Sequence, residues 1–230
     1  MSSLKKTLSF FLLWCSIAPI YATYSPLELN KNPLVAMDMV VEPASNAPQT
    51  QARVLISLHP QKAPISTRNF LNYVEDHYYD GTIFHRMIPN FMIQGGGFTP
   101  GMKQKASTAP ISNEASAKTP NIEGSIAMAR TMEIDSATSQ LFINFHDNHF
   151  LDHIDDTGQG FGYAVFGQIV SGLTWIEDLQ QLSTHQVGQF SDVPTRQIII
   201  KKVHTLTGDE KKKAIASLTS KPSTHQPLTQ

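Results

Sequence analysis

The block Phe84–Thr99 combines a cation with apolar side chains and a run of three glycines. Its sequence is FHRMIPNFMIQGGGFT, which places Arg86 among Phe, Met and Ile residues. Burying a charge in such surroundings costs free energy unless it is paired or used, so Arg86 considered alone is more typical of a strand edge that reaches water. The glycines indicate a tight turn or a close backbone approach, but not a phosphate loop, because no Lys-Ser/Thr pair follows and no helix begins there. The block can therefore supply a fixed positive charge beside an apolar surface.

Four further segments follow this block along the chain: Gly124–Thr131 (GSIAMART), Ser139–Asn144 (SQLFIN), Phe150–Asp152 (FLD) and Gly162–Gly167 (GYAVFG). In this order and at this spacing the five segments resemble the cyclophilins, the peptidyl-prolyl cis-trans isomerases, over roughly residues 33–205. The MART and FGYAVFG segments are similar to the exported bacterial branch of that family. The resemblance implies a mainly β fold, an eight-stranded antiparallel closed β-barrel capped by two α-helices.

The resemblance also implies roles for individual residues. Arg86 corresponds to the catalytic arginine, and Gln94 is assigned to the catalytic set beside it. The remaining positions line the pocket for the proline ring or hold the substrate backbone, Arg130 through its main-chain atoms. These substrate-binding positions are Phe91, Met92, Ala129, Arg130, Gln140, Phe142, Phe150, Leu151 and Tyr163.

Two positions depart from the best-known pattern of the family. Phe150 stands where many members have Trp, and Tyr163 stands where many have His. Both replacements keep an aromatic wall, so isomerase activity is still expected. Because the Trp position contacts cyclosporin in the family, the sequence predicts weakened cyclosporin binding.

The chemistry of proline isomerisation fits these residue types. An X-Pro bond rotates over a barrier of about 20 kcal/mol through a twisted amide that has lost its resonance. A hydrophobic pocket can fix the ring while a fixed cation stabilises the lone pair that localises on the prolyl nitrogen. No bond breaks, so the predicted reaction requires no cofactor, metal or nucleophile, and its substrates are X-Pro-containing polypeptides.

The spacing within the block does not by itself bring Arg86 to the same face as Gln94. If Pro89-Asn90 were a two-residue hairpin loop, Arg86 would pair with Ile93 and would point away from Gln94. The implied site therefore requires a longer loop or a bulge between the two strands, and the sequence leaves this open.

A metal-dependent hydrolase is a weaker alternative. His146, His149 and His153 offer imidazoles near Asp152 and Asp155. The chain has no His-Glu-x-x-His pattern, however, and Phe150-Leu151 occupy implied pocket positions, so a polar surface loop is favoured. A serine hydrolase built on Ser139 lacks the glycines of a nucleophile elbow.

An alternative of a different class is a holdase chaperone that binds proline-containing peptides and catalyses only incidentally. Arg86 discriminates between the two functions. Its replacement by Ala should reduce isomerisation far more than peptide binding if the chain is an enzyme.

Hydrophobic periodicity predicts the elements that must position these residues. Two amphipathic helices are expected, one of about three turns from Pro64 to near Asp76 and one at Leu173–Leu182. Many short strands with only two helices indicate a closed or nearly closed all-β domain. The predicted strands are Leu34–Val41, Gln51–Leu58, Thr82–Ile88, Phe91–Gln94, Gly124–Ala129, Gln140–Asn144, Tyr163–Val170 and Gln197–His204.

The ends of the chain differ in composition from this domain. Residues 1–22 carry Lys5, Lys6 and an apolar run before Ala22, which is typical of a cleaved signal peptide. Residues 23–32 are expected to form a polar lead-in, residues 33–207 the isomerase domain and residues 208–230 a disordered tail. These features predict an exported protein, with the periplasm favoured over full secretion and no integral membrane segment after signal removal.

Composition excludes other classes. The 230 residues include 18 Lys+Arg and 19 Asp+Glu, so the net charge of −1 gives no basic excess for a nucleic-acid partner. The single cysteine, Cys15, lies in the predicted signal peptide, which leaves the mature chain without thiols and excludes an intramolecular disulfide or a cysteine-rich zinc site.

Overall fold

A computed structural model of the chain describes residues 25–220. The predicted signal peptide, residues 1–22, and the last ten residues of the predicted tail lie outside this range. Among residues 25–220, no helix is both long and apolar enough to cross a membrane.

The sheet closes into a barrel. Its strands are β1 Leu34–Val41, β2 Thr50–Leu58, β3 Ile83–Ile88, β4 Met92–Thr99, β5 Lys103–Gln104, β6 Ser125–Met128, β7 Leu141–Asn144, β8 Val165–Ser171, β9 Thr184–Val187, β10 Phe190–Pro194 and β11 Ile198–Thr205. Eight of them follow one another around the barrel in the order β3-β11-β1-β2-β8-β6-β7-β4, and pairing between β4 and β3 closes the ring, with every pairing antiparallel. The short β5 extends the edge of β4, and β9 and β10 form a separate hairpin. The predicted eight-stranded closed barrel is confirmed.

The main core fills the inside of the barrel and its ends. Alternate residues of β2, such as Val54, Ile56 and Leu58, are fully buried, as the period-2 pattern requires. Helix α2, Pro64–Glu75, contributes Phe70 to the same core, and its ring packs 5.2 Å from that of Phe166 on β8.

The two predicted helices are present. Besides α2, helix α3 spans Leu173–Asp178 and continues as a 3₁₀ turn through Gln181. The N-terminus of α2 has no side-chain cap of its own, and a remote residue provides one. The Glu114 carboxylate accepts hydrogen bonds from the backbone N–H groups of Ile65 (2.9 Å) and Ser66 (2.7 Å). A carboxylate at this end satisfies orphan donors and favours the helix dipole.

The structure corrects the prediction of a disordered tail for Gly208–Ser220, which form helix α4. The lysine run made this segment resemble a solvated tail, but Ala214, Ile215 and Leu218 recur at helical spacing and supply an apolar face. Asp209 and Glu210 in the first turn favour the helix dipole.

The predicted lead-in also contains a short helix, α1, Pro26–Lys31. Helices α1 and α4 cover an outer face of the barrel over β1, β2 and β8. We call the buried set there the terminal-helix patch, which consists of Leu29, Leu34, Ala36, Leu206 and Ile215.

Polar contacts border the terminal-helix patch. Arg53 on β2 forms a two-pronged ion pair with Asp38 on β1, at 2.7 and 2.9 Å, and its Nη1 lies 3.4 Å from a carboxylate oxygen of Glu210 on α4. The ammonium of Lys211 donates to the carbonyls of Asn30 and Asn32, which ties α4 to the end of α1.

Candidate active site

A three-residue connection between β3 and β4 determines where Arg86 lies. Ile88 pairs with Met92 across the turn, so Arg86 stands directly opposite Gln94. Asn90 adopts a left-handed conformation (φ 59°), and the Phe91 N–H donates to the Ile88 carbonyl. The two-residue loop considered from the sequence would have separated these side chains, and the longer connection brings them to one face.

The pairing continues across the barrel as a row. Gln94 on β4 pairs with Phe142 on β7, Phe142 pairs with Ala127 on β6, and Ala127 pairs with Val165 on β8. The neighbouring residues along these strands, among them Met87, Ile93 and Ile143, belong to the core inside the barrel. Because side chains alternate along a strand, the row from Arg86 to Val165 lies on the outer surface.

An apolar cluster forms on this outer face, and we call it the pocket patch. Its buried members are Met92, Ala127, Phe142 and Val165, and its half-buried margin is Ile88, Phe91, Ala129, Leu151 and Tyr163. The Tyr163 ring stands edge-on to the Phe142 ring, with centroids 5.5 Å apart. The sequence-predicted pocket residues are thus brought together beside Arg86.

Phe150 forms the exposed rim of the pocket patch. Its side chain is 68% exposed and its ring stacks on Phe91 at a centroid distance of 5.5 Å. The Phe150 ring therefore continues the half-buried apolar margin of the pocket patch, and a contiguous apolar surface of this kind is typical of a binding site.

Gln94 and Gln140 form a pair of side-chain amides beside the row. The Gln94 Nε2 donates to the Gln140 Oε1 at 2.9 Å. Gly97 makes room for this pair, since a Cβ at that position would lie 2.5 Å from Cγ of Gln140. Gly96 has φ +82°, a conformation that side-chain-bearing residues rarely adopt. The glycine run therefore serves the close approach that the sequence indicated.

Arg130 uses its side chain in a way that the sequence did not indicate. Its guanidinium donates to the carbonyls of Gly162 (2.9 Å), Gly158 (2.8 Å) and Thr131 (2.9 Å). It also lies over the ring of Tyr163, 4.7 Å from the centroid. Arg130 therefore fixes the loop that carries one wall of the pocket patch.

A buried amide network supports the pocket from behind, and sequence reasoning missed it. Asn148 Nδ2 donates to the Phe91 carbonyl (2.9 Å) and to Asn144 Oδ1 (2.8 Å). Asn144 Nδ2 donates to Asn121 Oδ1, and Asn121 Nδ2 reaches the Leu151 carbonyl. Asn144 ends β7, whereas Asn121 and Asn148 lie in connecting segments, so no local pattern in the sequence marked the three as one network. The network holds both Phe91 and Leu151, two walls of the pocket.

Arg86 has an acidic neighbour that the sequence analysis did not identify. The Asp192 carboxylate on β10 lies 3.6 Å from the Arg86 Nε, and both side chains are somewhat more than one-third exposed. His85 precedes Arg86 on β3. Its burial, together with the nearby Arg86 charge, lowers the pKa of His85 to about 4. His85 is therefore neutral at neutral pH, and Arg86 is the cation of this strand.

The histidine-rich loop does not assemble a metal site in the part of the chain that the structure describes, where no group of three or more His, Cys, Asp and Glu side chains is placed to hold an ion. His149 Nδ1 instead lies 2.9 Å from Asp152 Oδ2, and His153 Nδ1 lies 2.9 Å from the Phe161 carbonyl oxygen.

Comparison with known proteins agrees with this geometry. The family model described as "Cyclophilin type peptidyl-prolyl cis-trans isomerase/CLD" matches residues 46–205. Peptidyl-prolyl cis-trans isomerase A of Dickeya dadantii is 53% identical over 146 residues, covering 63% of this chain and 75% of that protein. Peptidyl-prolyl cis-trans isomerase B of Escherichia coli is 46% identical over 150 residues, covering 65% and 92%.

A solved structure shows the same fold. The crystal structure of a Cryptosporidium parvum cyclophilin type peptidyl-prolyl cis-trans isomerase aligns with a TM-score of 0.57 over 77% of this chain and 99% of that one, at 21% identity. With the family model spanning the whole pocket and row, the chain belongs to the cyclophilin-type peptidyl-prolyl cis-trans isomerases.

Proposed function

We propose that this isomerase accelerates rotation about X-Pro bonds by placing Arg86 beside a proline held in the pocket patch. The observation that carries the proposal is the cross-strand row, in which Arg86, Gln94 and Phe142 are successive neighbours on one outer face. A proline ring seated on Met92 and Phe142 would present its nitrogen to the same row.

Differential binding lowers the activation free energy of the rotation. Planar cis and trans amides delocalise the nitrogen lone pair into the carbonyl, whereas the twisted amide leaves it on nitrogen. A fixed guanidinium therefore interacts more strongly with the twisted amide than with either ground state, and this lowers the barrier. Gln94 is held by Gln140, which keeps its amide available to orient the guanidinium or the substrate carbonyl.

The decisive experiment compares Arg86→Ala with the wild type in a protease-free proline-isomerisation assay. We expect kcat/KM to fall about 100-fold, the size of effect seen when one stabilising donor is removed, while peptide affinity changes by less than about threefold. Arg68, exposed on α2, provides the matched control, and Arg68→Ala should leave both quantities unchanged.

An unchanged isomerisation rate in Arg86→Ala would reject the arginine mechanism. If the wild type bound peptide and suppressed client aggregation but did not isomerise X-Pro bonds faster than the uncatalysed rate, the holdase function would replace the enzymatic one.

We also propose that the chain acts on unfolded or exported polypeptides after passing into the periplasm. The support is the charged and apolar pattern of residues 1–22. Fused to a reporter enzyme that is active only after export, these residues should give activity, and the double substitution Leu12→Arg, Leu13→Arg should abolish it. Inactive reporter protein, found by immunoblot only in the cytoplasmic fraction, would reject export.

The weakened cyclosporin binding expected from Phe150 is a further part of the proposal. Phe150 is exposed on the rim, where an indole would add contact area to a bound ligand. Phe150→Trp should therefore tighten cyclosporin binding relative to the wild type, as measured by isothermal titration. Tight binding by the unmodified chain would contradict this expectation.

A further inference from the structure

The strongest feature that the proposed mechanism leaves unused is the carboxylate of Asp192. It lies 3.6 Å from the Nε of Arg86, the nitrogen within the side-chain stem rather than at its tip. A carboxylate beside Nε can hold the guanidinium from the stem side, so that its terminal nitrogens would serve a proline in the pocket patch.

The backbone of the β9–β10 hairpin is irregular at Asp192, where the side chain lies beside Arg86. Pairing between β9 and β10 shifts register between Phe190 and Val193, so the hairpin carries a bulge at this point. Within the bulge Asp192 adopts φ 60°, a left-handed conformation that costs free energy for most residues other than Gly, Asn and Asp. Bulges re-aim side chains and are common next to active sites.

The hairpin itself is anchored to the strand that carries Arg86. The Phe190 ring stands edge-on to Phe98, with centroids 5.2 Å apart, and Phe98 packs at 4.5 Å on the ring of His85. Val193, the residue after Asp192, is buried. The backbone of Asp192 is therefore flanked along the chain by two packed residues, Phe190 and Val193.

From these observations we propose that Asp192 is a positioning residue for Arg86. The carboxylate restricts the otherwise mobile arginine to the conformation whose terminal nitrogens face a proline in the pocket. It acts through Arg86 and does not itself contact the reacting bond. This inference rests on the proposed function, because it presumes that Arg86 stabilises the twisted amide.

A double-mutant cycle tests the inference. Asp192→Asn keeps the size of the side chain and tolerates a left-handed backbone, so the variant should fold, as thermal melting followed by circular dichroism will verify. In the wild-type background we expect kcat to fall about two- to fivefold with little change in KM, the range for a half-exposed ion pair. In the Arg86→Ala background the same change should alter kcat by less than about 1.5-fold.

The outcomes separate the two proposals. An equal loss of kcat in both backgrounds, or a rise of kcat in Asp192→Asn, would overturn the positioning role while leaving the role of Arg86 intact. Wild-type kcat in Arg86→Ala alone would overturn the proposed function and this inference together. Asp76→Asn, at an exposed carboxylate after α2, is the matched control and should change nothing.

Discussion

The barrel carries two apolar patches on its outer surface, and they differ in how far helices cover them. The terminal-helix patch on β1, β2 and β8 is covered by α1 and α4, which bury Leu29 and Ile215 against it. The pocket patch on β4, β6, β7 and β8 has buried residues at its centre but keeps a half-buried margin and the exposed Phe150 at its rim, and we call it the open patch. Covering apolar surface stabilises the fold, whereas uncovered apolar surface remains available to a ligand.

The supports of the two patches differ as well. The terminal-helix patch is bordered by the ion pair of Arg53 with Asp38 and by the lysine contacts of α4. The pocket patch is supported by buried amides and by the Arg130 guanidinium, which hold the backbone carbonyls of Phe91, Leu151 and Gly162. This difference predicts that changes in the first region alter stability alone and that changes in the second reach activity.

The largest expected effect on stability is that of Ile215→Ala. The substitution removes a buried side chain from the terminal-helix patch and should lower the free energy of unfolding by about 2–3 kcal/mol. Isomerase kcat/KM, measured below the melting temperature, should stay within about twofold of the wild type. Ser217→Ala, on the exposed face of α4, is the control. A parallel loss of activity would remove the proposed separation between the patches.

The second prediction concerns the dependence of the free energy of unfolding on pH. His85, next to Arg86 on β3, and Asp38, beside the terminal-helix patch, should contribute to it in different pH ranges. The folded-state pKa of His85 is about 4, below the 6.5 of the unfolded chain, because the buried ring disfavours the charge. As pH falls from 6.5 towards 4, the unfolded state takes up a proton that the folded state does not, so stability decreases by up to about 2–3 kcal/mol.

The terminal-helix region responds in a more acidic window. The hydrogen bond from Arg53 lowers the pKa of Asp38, so its contribution is present above the unfolded value of 3.8 and is lost as pH falls below it. Urea unfolding at a series of pH values measures both effects. His85→Gln should flatten the dependence between pH 6.5 and 4.5, and Asp38→Asn should not. An unchanged slope in His85→Gln would contradict the assignment.

The sequence predicts those parts of the fold that depend on residues close together in the chain, and it predicts less well those that depend on distant residues. Strands β1 and β2 were predicted within a residue for different reasons. β1 is a mostly aliphatic run with buried residues on both faces, and β2 alternates buried with less buried residues over most of its length. The pocket residues were identified by resemblance to the family. Helix α4 was missed because the charges of Lys211–Lys213 outweighed one apolar stripe whose partner, Leu29, lies far away in the chain.

Non-local geometry limited the prediction of the site. Placing Arg86 opposite Gln94 depends on a three-residue connection, and the sequence leaves its length open between Ile88 and Met92. The β9–β10 hairpin has weak alternation and a bulge, so neither the strands nor the contact of Asp192 with Arg86 was predicted. Such contacts are set by tertiary packing rather than by local pattern.

A smaller effect is expected for Arg130→Lys, which tests the support of the pocket patch. A lysine keeps the charge but cannot donate in three directions to the carbonyls that the guanidinium holds. We expect the free energy of unfolding to fall by about 1–2 kcal/mol and KM for a proline peptide to rise, since the loop carrying Tyr163 loosens. Arg68→Lys is the control. A stability loss without any change in KM would show that the loop does not support binding.

The smallest effect on stability should come from Phe150→Ala, the counterpart of Ile215→Ala in the open patch. Phe150 is already 68% exposed, so the free energy of unfolding should change by less than about 0.5 kcal/mol. Its ring contact with Phe91 and its position on the rim nevertheless predict a three- to tenfold fall in kcat/KM, the scale of one aromatic contact. Ile154→Ala, at a side chain of similar exposure, is the matched control and should alter neither quantity. If Phe150→Ala lowered stability as much as Ile215→Ala does, the open patch would be part of the structural core, and its exposure could no longer be explained by substrate binding.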